Sequence, residues 1–191
     1  MHLFTSSREK RLWFYTFIVL IGILSTLFIG RPIIDIFSDQ NVQAVIFIIV
    51  MLLVGVTMVM HGLKLKPGKI EIAIWFGFAA IYLMVFLRLG LAERSHLMEY
   101  SVLAIFIHMA LLEREHTKKN SMNPALLAFL ITLIIGVLDE CIQIFLPGRV
   151  FDPNDMLFNG LAAFMAIGVR LVLQFIRNKM RQSKSFNSQE Q

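Results

Sequence analysis

The chain has 191 residues, of which 57% are hydrophobic and only 16% charged, and its mean hydropathy is +0.71. A soluble domain of ordinary composition carries about a quarter charged residues, so these figures exclude one and point to a protein that lives in a bilayer. The net charge of +5 does not point to nucleic acid, because the basic residues fall in short clusters beside the apolar runs, as at the cytoplasmic flanks of membrane helices.

In chain order, Arg8, Lys10 and Arg11 precede a first apolar run over about residues 12–29. It is too long for the apolar core of a signal peptide and lacks a small-residue cleavage site, so it reads as an uncleaved span closed by Gly30-Arg31-Pro32. A second span covers about residues 42–62 and ends at the Lys64, Lys66, Pro67, Gly68, Lys69 turn. The third runs over about residues 70–89, and a charged knot, Glu93-Arg94-Ser95-His96, separates it from a short fourth span over about residues 97–112. A hydrophilic loop follows, then Pro124 opens a fifth helix that continues to about Leu146. The sixth starts near Pro153 and ends around Ile176. The expected fold is therefore all-α and polytopic, with about six transmembrane helices in a single domain over residues 1–177. A polar tail over residues 178–191 is expected to be cytoplasmic and disordered. The lone cysteine, Cys141, lies in an apolar run and reads as a small hydrophobe.

The flanks alternate in charge. Thirteen Lys and Arg fall on the side of the N-terminus, the second-to-third loop, the fourth-to-fifth loop and the tail. Four (Arg31, Arg88, Arg94 and Arg149) fall on the other, with Arg170 inside the last span. The positive-inside rule then predicts both termini in the cytoplasm. It also brings two polar stretches distant in sequence, residues 93–100 and 139–159, to the same outer face.

Those stretches hold the candidate site. Asp139 and Glu140 are adjacent carboxylates within the end of an apolar run, where ionisable groups are costly unless paired or hydrated. Gln143 lies three and four residues on, bordering both. Asp155 and Asn159 are spaced by one helical turn in the next span, and His96 stands three residues from Glu99 and four from Tyr100. Histidine beside carboxylates suits general acid–base work, which makes His96, Glu99, Asp139, Glu140 and Asp155 the catalytic candidates. Arg94, Tyr100, Gln143, Arg149 and Asn159 are the binding candidates, Arg149 as an anion clamp or as a partner of Asp152 or Asp155. Asp152, directly before Pro153, reads as a structural helix cap. A structural ion-pair network competes with the functional reading of Asp139 and Glu140. A metal on His96, Glu99, Asp139, Glu140 and Asp155 has no HExxH or cysteine pattern behind it, so no metal and no cofactor are expected. His108 reads as an interhelical hydrogen-bonding group, and His61 and His116 as interfacial.

The segments ERSHLMEYSVL (Glu93 to Leu103) and GVLDECIQIFLPGRVFDPNDMLFNG (Gly136 to Gly160) resemble the VanZ-like membrane proteins. The matching positions are Glu93, Arg94, His96, Glu99 and Tyr100, then Asp139, Glu140, Gln143, Pro147, Arg149, Asp152, Asp155 and Asn159. The likeness is best over residues 89–168, and the first three spans match only in hydrophobicity. Many members continue after the asparagine with glycines, where Ala162, Ala163 and Ala166 stand here; these are still small enough for close helix approach. The resemblance implies a multi-pass plasma-membrane protein. Its name-giving relative is associated with low-level teicoplanin resistance. The expected partners are the lipid bilayer and a lipid-linked or cell-wall component. Three classes of activity follow: an enzyme on such a component, a non-catalytic binding or scaffold protein, and a transporter. Transport ranks last, because His108 and Arg170 are the main polar groups deeper in the spans.

Overall fold

The structure, a computed structural model, describes residues 4–37, 45, 68–89, 91–117, 122–146, 149 and 151–187. Among the described residues the fold consists of five helices and no strand: α1 (Ser7–Phe37), α2 (Lys69–Arg88), α3 (Leu91–Thr117), α4 (Pro124–Gln143) and α5 (Pro153–Asn187). All five are long and apolar enough to cross a membrane. They match the predicted first, third, fourth, fifth and sixth spans; apart from Val45, the predicted second span lies outside the described residues.

The helix starts follow local rules. Ser6 Oγ accepts the Glu9 N–H at 3.0 Å, and the Glu9 carboxylate reaches back to the Thr5 N–H at 2.7 Å. This is a reciprocal cap of the Ser-x-x-Glu kind. Asn123 Oδ1 accepts the Ala125 N–H at 2.9 Å and Pro124 takes the first helical position of α4. Asp152 does the same for α5, accepting the Asn154 N–H at 2.8 Å ahead of Pro153, as expected of a cap.

Several boundaries differ from expectation. The charged knot at residues 93–96 is not a connection but the opening of α3, which runs from Leu91 to Thr117. No Gly or Pro interrupts that stretch, and Glu and Arg are good helix formers; the chain breaks earlier, at Leu89, whose backbone is extended. α1 continues past Gly30-Arg31-Pro32 to Phe37. α4 stops at Gln143, short of Leu146, and the Phe145 and Leu146 N–H groups bond three residues back to the Ile142 and Gln143 carbonyls. α5 carries on beyond Ile176, so the tail expected to be disordered is helical as far as Asn187. That stretch again lacks Gly and Pro and contains several strong helix formers.

α3 is the centre of the bundle, packed against α1, α4 and α5. Half of its spanning residues are buried, against 6% for α2, whose main contact is with α5. Tyr100, Leu103, Ala104, Ile107 and Leu111 carry the inner surface of α3. α4 is polarised in the sense expected of lipid rather than water. Ala128, Thr132, Gly136, Asp139, Glu140 and Gln143 point inward, while Leu126, Leu130, Ile134 and Leu138 are exposed at every fourth position. Small and polar groups inside with bulky apolar groups outside is the packing logic of membrane helices. Ala162, Ala163 and Ala166 do the same on α5, each nearly or fully buried.

The two ends of the bundle are distinct. At one, Arg114 at the end of α3 meets Glu9 at the start of α1 at 2.8 Å, Ser6 donates to Glu113 at 3.0 Å, and Arg177 near the end of α5 meets Glu71 at the start of α2. The opposite end gathers the start of α3, the end of α4 and the start of α5. Residues 93–100 and 139–159 thus do share one end of the bundle.

Candidate functional site

At that end, three helices each present one or two polar side chains. His96 lies in the second turn of α3, Asp139 and Glu140 in the last turns of α4, and Asp155 in the first turn of α5. One ligating atom each from His96, Asp139 and Glu140 lie within 4.8 Å of one another, and His96 Nε2 stands 3.6 Å from Asp155 Oδ2. Asp139 is 2% exposed and Glu140 fully buried. Two carboxylates and an imidazole are therefore brought together out of solvent, from positions more than forty residues apart.

Glu140 is held from two sides. Its Oε1 accepts from Gln143 Nε2 at 2.9 Å and its Oε2 accepts the Asp152 backbone N–H at 3.3 Å. The carboxylate thereby joins the end of α4 to the cap of α5, which fixes the angle at which the two helices meet. The spacing of Glu140 and Gln143 anticipates the first bond. The second depends on the turn geometry and has no sequence signal.

Asp139 is different. Its Oδ1 is buried with no hydrogen-bonding partner in the protein. The Tyr100 hydroxyl faces Asp139 and Gln143 lies alongside, both near enough to interact with the carboxylate, although the Tyr100–Asp139 approach is looser than a well-formed hydrogen bond. His96 Nδ1 and both amide atoms of Asn159 are likewise buried and unpartnered. The His96 and Tyr100 rings stack with centroids 6.0 Å apart. A buried polar atom left without a partner costs about 1–3 kcal/mol, and such groups are rare enough that a cluster of them requires a reason.

Gly136 makes this proximity possible. A Cβ there would fall 2.9 Å from the Asn159 Cβ and 3.3 Å from the Tyr100 ring. One turn from Asp139 and Glu140, the glycine lets α3, α4 and α5 converge directly beneath the carboxylates. Sequence inspection gave it no role, although a glycine in an apolar helix near buried polar groups is the available signal.

The arginines do not complete the cluster as expected. Arg149 donates from Nη2 to the Thr26 carbonyl of α1 at 2.7 Å rather than to Asp152 or Asp155. Its charge acts on Glu99 and Asp139 from a distance. Arg94 turns to α2, bonding the Phe86 carbonyl at 2.9 Å with its guanidinium over the Phe86 ring. For Arg94 the physical reason is that a carbonyl in the last turn of α2 offers a hydrogen bond without burying a guanidinium. Among the described residues no Arg or Lys forms an ion pair with Asp139 or Glu140. Glu99 is half-buried and electrostatically coupled to Asp139. The side chain of Glu93 and the position of Pro147 lie outside the described residues.

Away from the site, His108 is buried towards the opposite end, near Arg170. The buried Glu9–Arg114 and Glu71–Arg177 pairs were missed by sequence reading, because each joins helices more than a hundred residues apart. Only the Ser6-x-x-Glu9 spacing hinted at a role for Glu9.

The family model described as VanZ/LLP1 matches residues 3–174, and the chain belongs to that family. No curated protein and no solved structure matches it.

Proposed function

We propose that this VanZ/LLP1-family membrane protein binds or processes a cell-envelope or lipid-linked component at the outer face of the plasma membrane. The cluster of His96, Asp139, Glu140 and Asp155 is its reactive centre. The observation that carries the reading is the convergence of His96, Asp139 and Glu140 within 4.8 Å with no Arg or Lys among the described residues paired to either of the two α4 carboxylates. A scaffold built on ion pairs would need cations in contact with those acids, and the arginines bond elsewhere. His96, oriented by Asp155, is placed to exchange a proton. Tyr100 and Asn159 offer hydrogen bonds to whatever enters. Glu140, which accepts a bond on each oxygen, also holds the site together. The charge asymmetry of the flanks supports an outward-facing site.

Glycopeptide tolerance is the phenotype to measure, given the teicoplanin association that the family resemblance implies. His96→Gln and Asp139→Asn are expected to abolish the tolerance conferred by the wild-type chain while membrane abundance is unchanged. Full tolerance in both variants would overturn the reading. So would disappearance of both proteins from the membrane together with recovery of protein and tolerance in apolar double replacements, which would mark the cluster as structural.

A further inference from the structure

We propose that His96, Asp139 and Glu140 form a binding site for one divalent first-row metal ion of the zinc class, with Asp155 orienting the histidine. The proposal rests on the reading of this cluster as the functional centre, and it departs from the sequence, whose spacing contains no familiar metal motif.

Three independent features converge. The first is the donor set. An imidazole with two carboxylates is a mixed nitrogen and oxygen set that suits zinc or manganese better than magnesium or calcium, which take oxygen ligands. Three protein ligands from three positions leave a coordination place open, the pattern of catalytic rather than structural zinc sites.

The second is spacing. Two atoms bonded to one zinc at about 2.0–2.2 Å in a tetrahedral site stand about 3.3–3.6 Å apart. The candidate atoms lie within 4.8 Å of one another. Closing the widest pair takes up to about 1.5 Å, a movement that side-chain rotations of Asp139 and His96 can supply.

The third is the state of the individual atoms. His96 presents Nε2 to Asp155 Oδ2 at 3.6 Å, while its other nitrogen, Nδ1, is buried with no partner in the protein. A metal-bound histidine is usually held in this way, with one nitrogen on a carboxylate and the other on the ion. Asp139 is 2% exposed and its Oδ1 is also unpartnered. Glu140 is oriented by Gln143 and the Asp152 N–H, and each of its oxygens keeps a lone pair. A divalent cation would offset two carboxylates that no Arg or Lys among the described residues neutralises. Its open position would accept an anionic oxygen, such as one from a phosphate, on the component bound at the site.

The test uses the full chain purified in detergent micelles and stripped with a chelator. Zn²⁺ is titrated against a competing chromophoric chelator, and Co²⁺ is added separately to read its visible absorption. The wild type is expected to bind one equivalent of Zn²⁺ and to give cobalt bands characteristic of a four- or five-coordinate site. Asp139→Asn and His96→Gln should abolish that equivalent. Asp155→Asn should weaken it about 10–100-fold, as loss of an orienting carboxylate does elsewhere. Glu115→Gln, at the other end of the bundle, should leave it unchanged. Failure of the wild type to take up Zn²⁺ or Mn²⁺, or uptake unchanged in both ligand variants, would overturn the metal site. The second outcome would mean adventitious surface binding only. The two readings separate cleanly. Loss of tolerance in Asp139→Asn without metal uptake by the wild type removes the metal and keeps the functional centre. Metal uptake by the wild type, with full tolerance in Asp139→Asn and His96→Gln, keeps the metal and removes the centre's proposed role in tolerance.

Discussion

Two adjacent carboxylates in one helical turn do different work because their surroundings differ. Both Glu140 oxygens are engaged, one of them by the backbone N–H that begins the α5 cap. Glu140→Gln replaces an acceptor with an NH₂ group facing either that N–H or the Gln143 amide. One charge-assisted bond is then lost, worth about 1.5–3 kcal/mol, and the melting point in micelles should fall. Asp139 has no such bond on Oδ1, so Asp139→Asn should melt at or above the wild-type temperature while losing function. Equal destabilisation by the two variants would show that the carboxylates share one structural role. The sequence made both acids conspicuous by their depth in an apolar run. It could not rank them, because the bond that distinguishes them comes from a turn twelve residues away in the chain.

At the level of the helix, close approach and capping decide the geometry of the site. Gly136→Ala would drive a methyl group to 2.9 Å from the Asn159 Cβ, and overpacking of this kind costs about 1–3 kcal/mol. We expect a lower melting point and weaker function together, since α4 and α5 must part just beneath the carboxylates. Asn123→Ala removes the cap of α4 at the far end and should cost about 1 kcal/mol with function retained. Thermal unfolding of the two variants beside glycopeptide tolerance tests the contrast, and loss of function in Asn123→Ala alone would contradict it. Helix existence was legible from the apolar runs, and the cap at Asp152 and the helix start at Pro124 from single residues. The start of α3 was not. Glu93, Arg94 and His96 look like a connection when charge is taken to mean solvent, but they are also compatible with a helix whose first turns sit at an interface.

For the whole molecule, the structure shows which helix ends lie together, and the charge count predicts which end faces the cytoplasm. A cysteine placed at Ser95 should react with an impermeant thiol reagent added outside intact cells, and one at Asn120 should not, with Cys141 replaced by alanine in both. Labelling at Asn120 alone would invert the orientation and put the site inside. α2 offers a second global test, because a buried Glu71 ties it to Arg177 of α5. Arg177 is about a third exposed, so breaking the pair should cost roughly 1–3 kcal/mol, below the 3–5 expected of a fully buried pair. Glu71→Ala should lower the melting point, and the reversed pair Glu71→Arg with Arg177→Glu should recover part of it. No recovery would mean that α2 is held by its apolar contact alone. Neither this pair nor Glu9–Arg114 could be read from the chain, since pattern reasoning sees neighbours and these partners are distant.

The same two pairs impose an order on biosynthesis. Glu71 leaves the ribosome 106 residues before Arg177, which at about 5–20 residues per second is roughly 5–20 s. Glu9 waits a similar time for Arg114. During that interval both acids sit in the first turn of their helices, at the end nearest the headgroups, where a carboxylate can stay hydrated or protonated while the rest of the helix is already in lipid. Each arginine, when it arrives, stands in the last turns of a later span and closes a contact whose other half is already in place. α1 is thus latched when α3 is complete, and α2 only when α5 is. A nascent chain arrested before Arg177 should hold α2 without its latch, and crosslinks between cysteines placed at Glu71 and Arg177 should form only once synthesis has passed the end of α5.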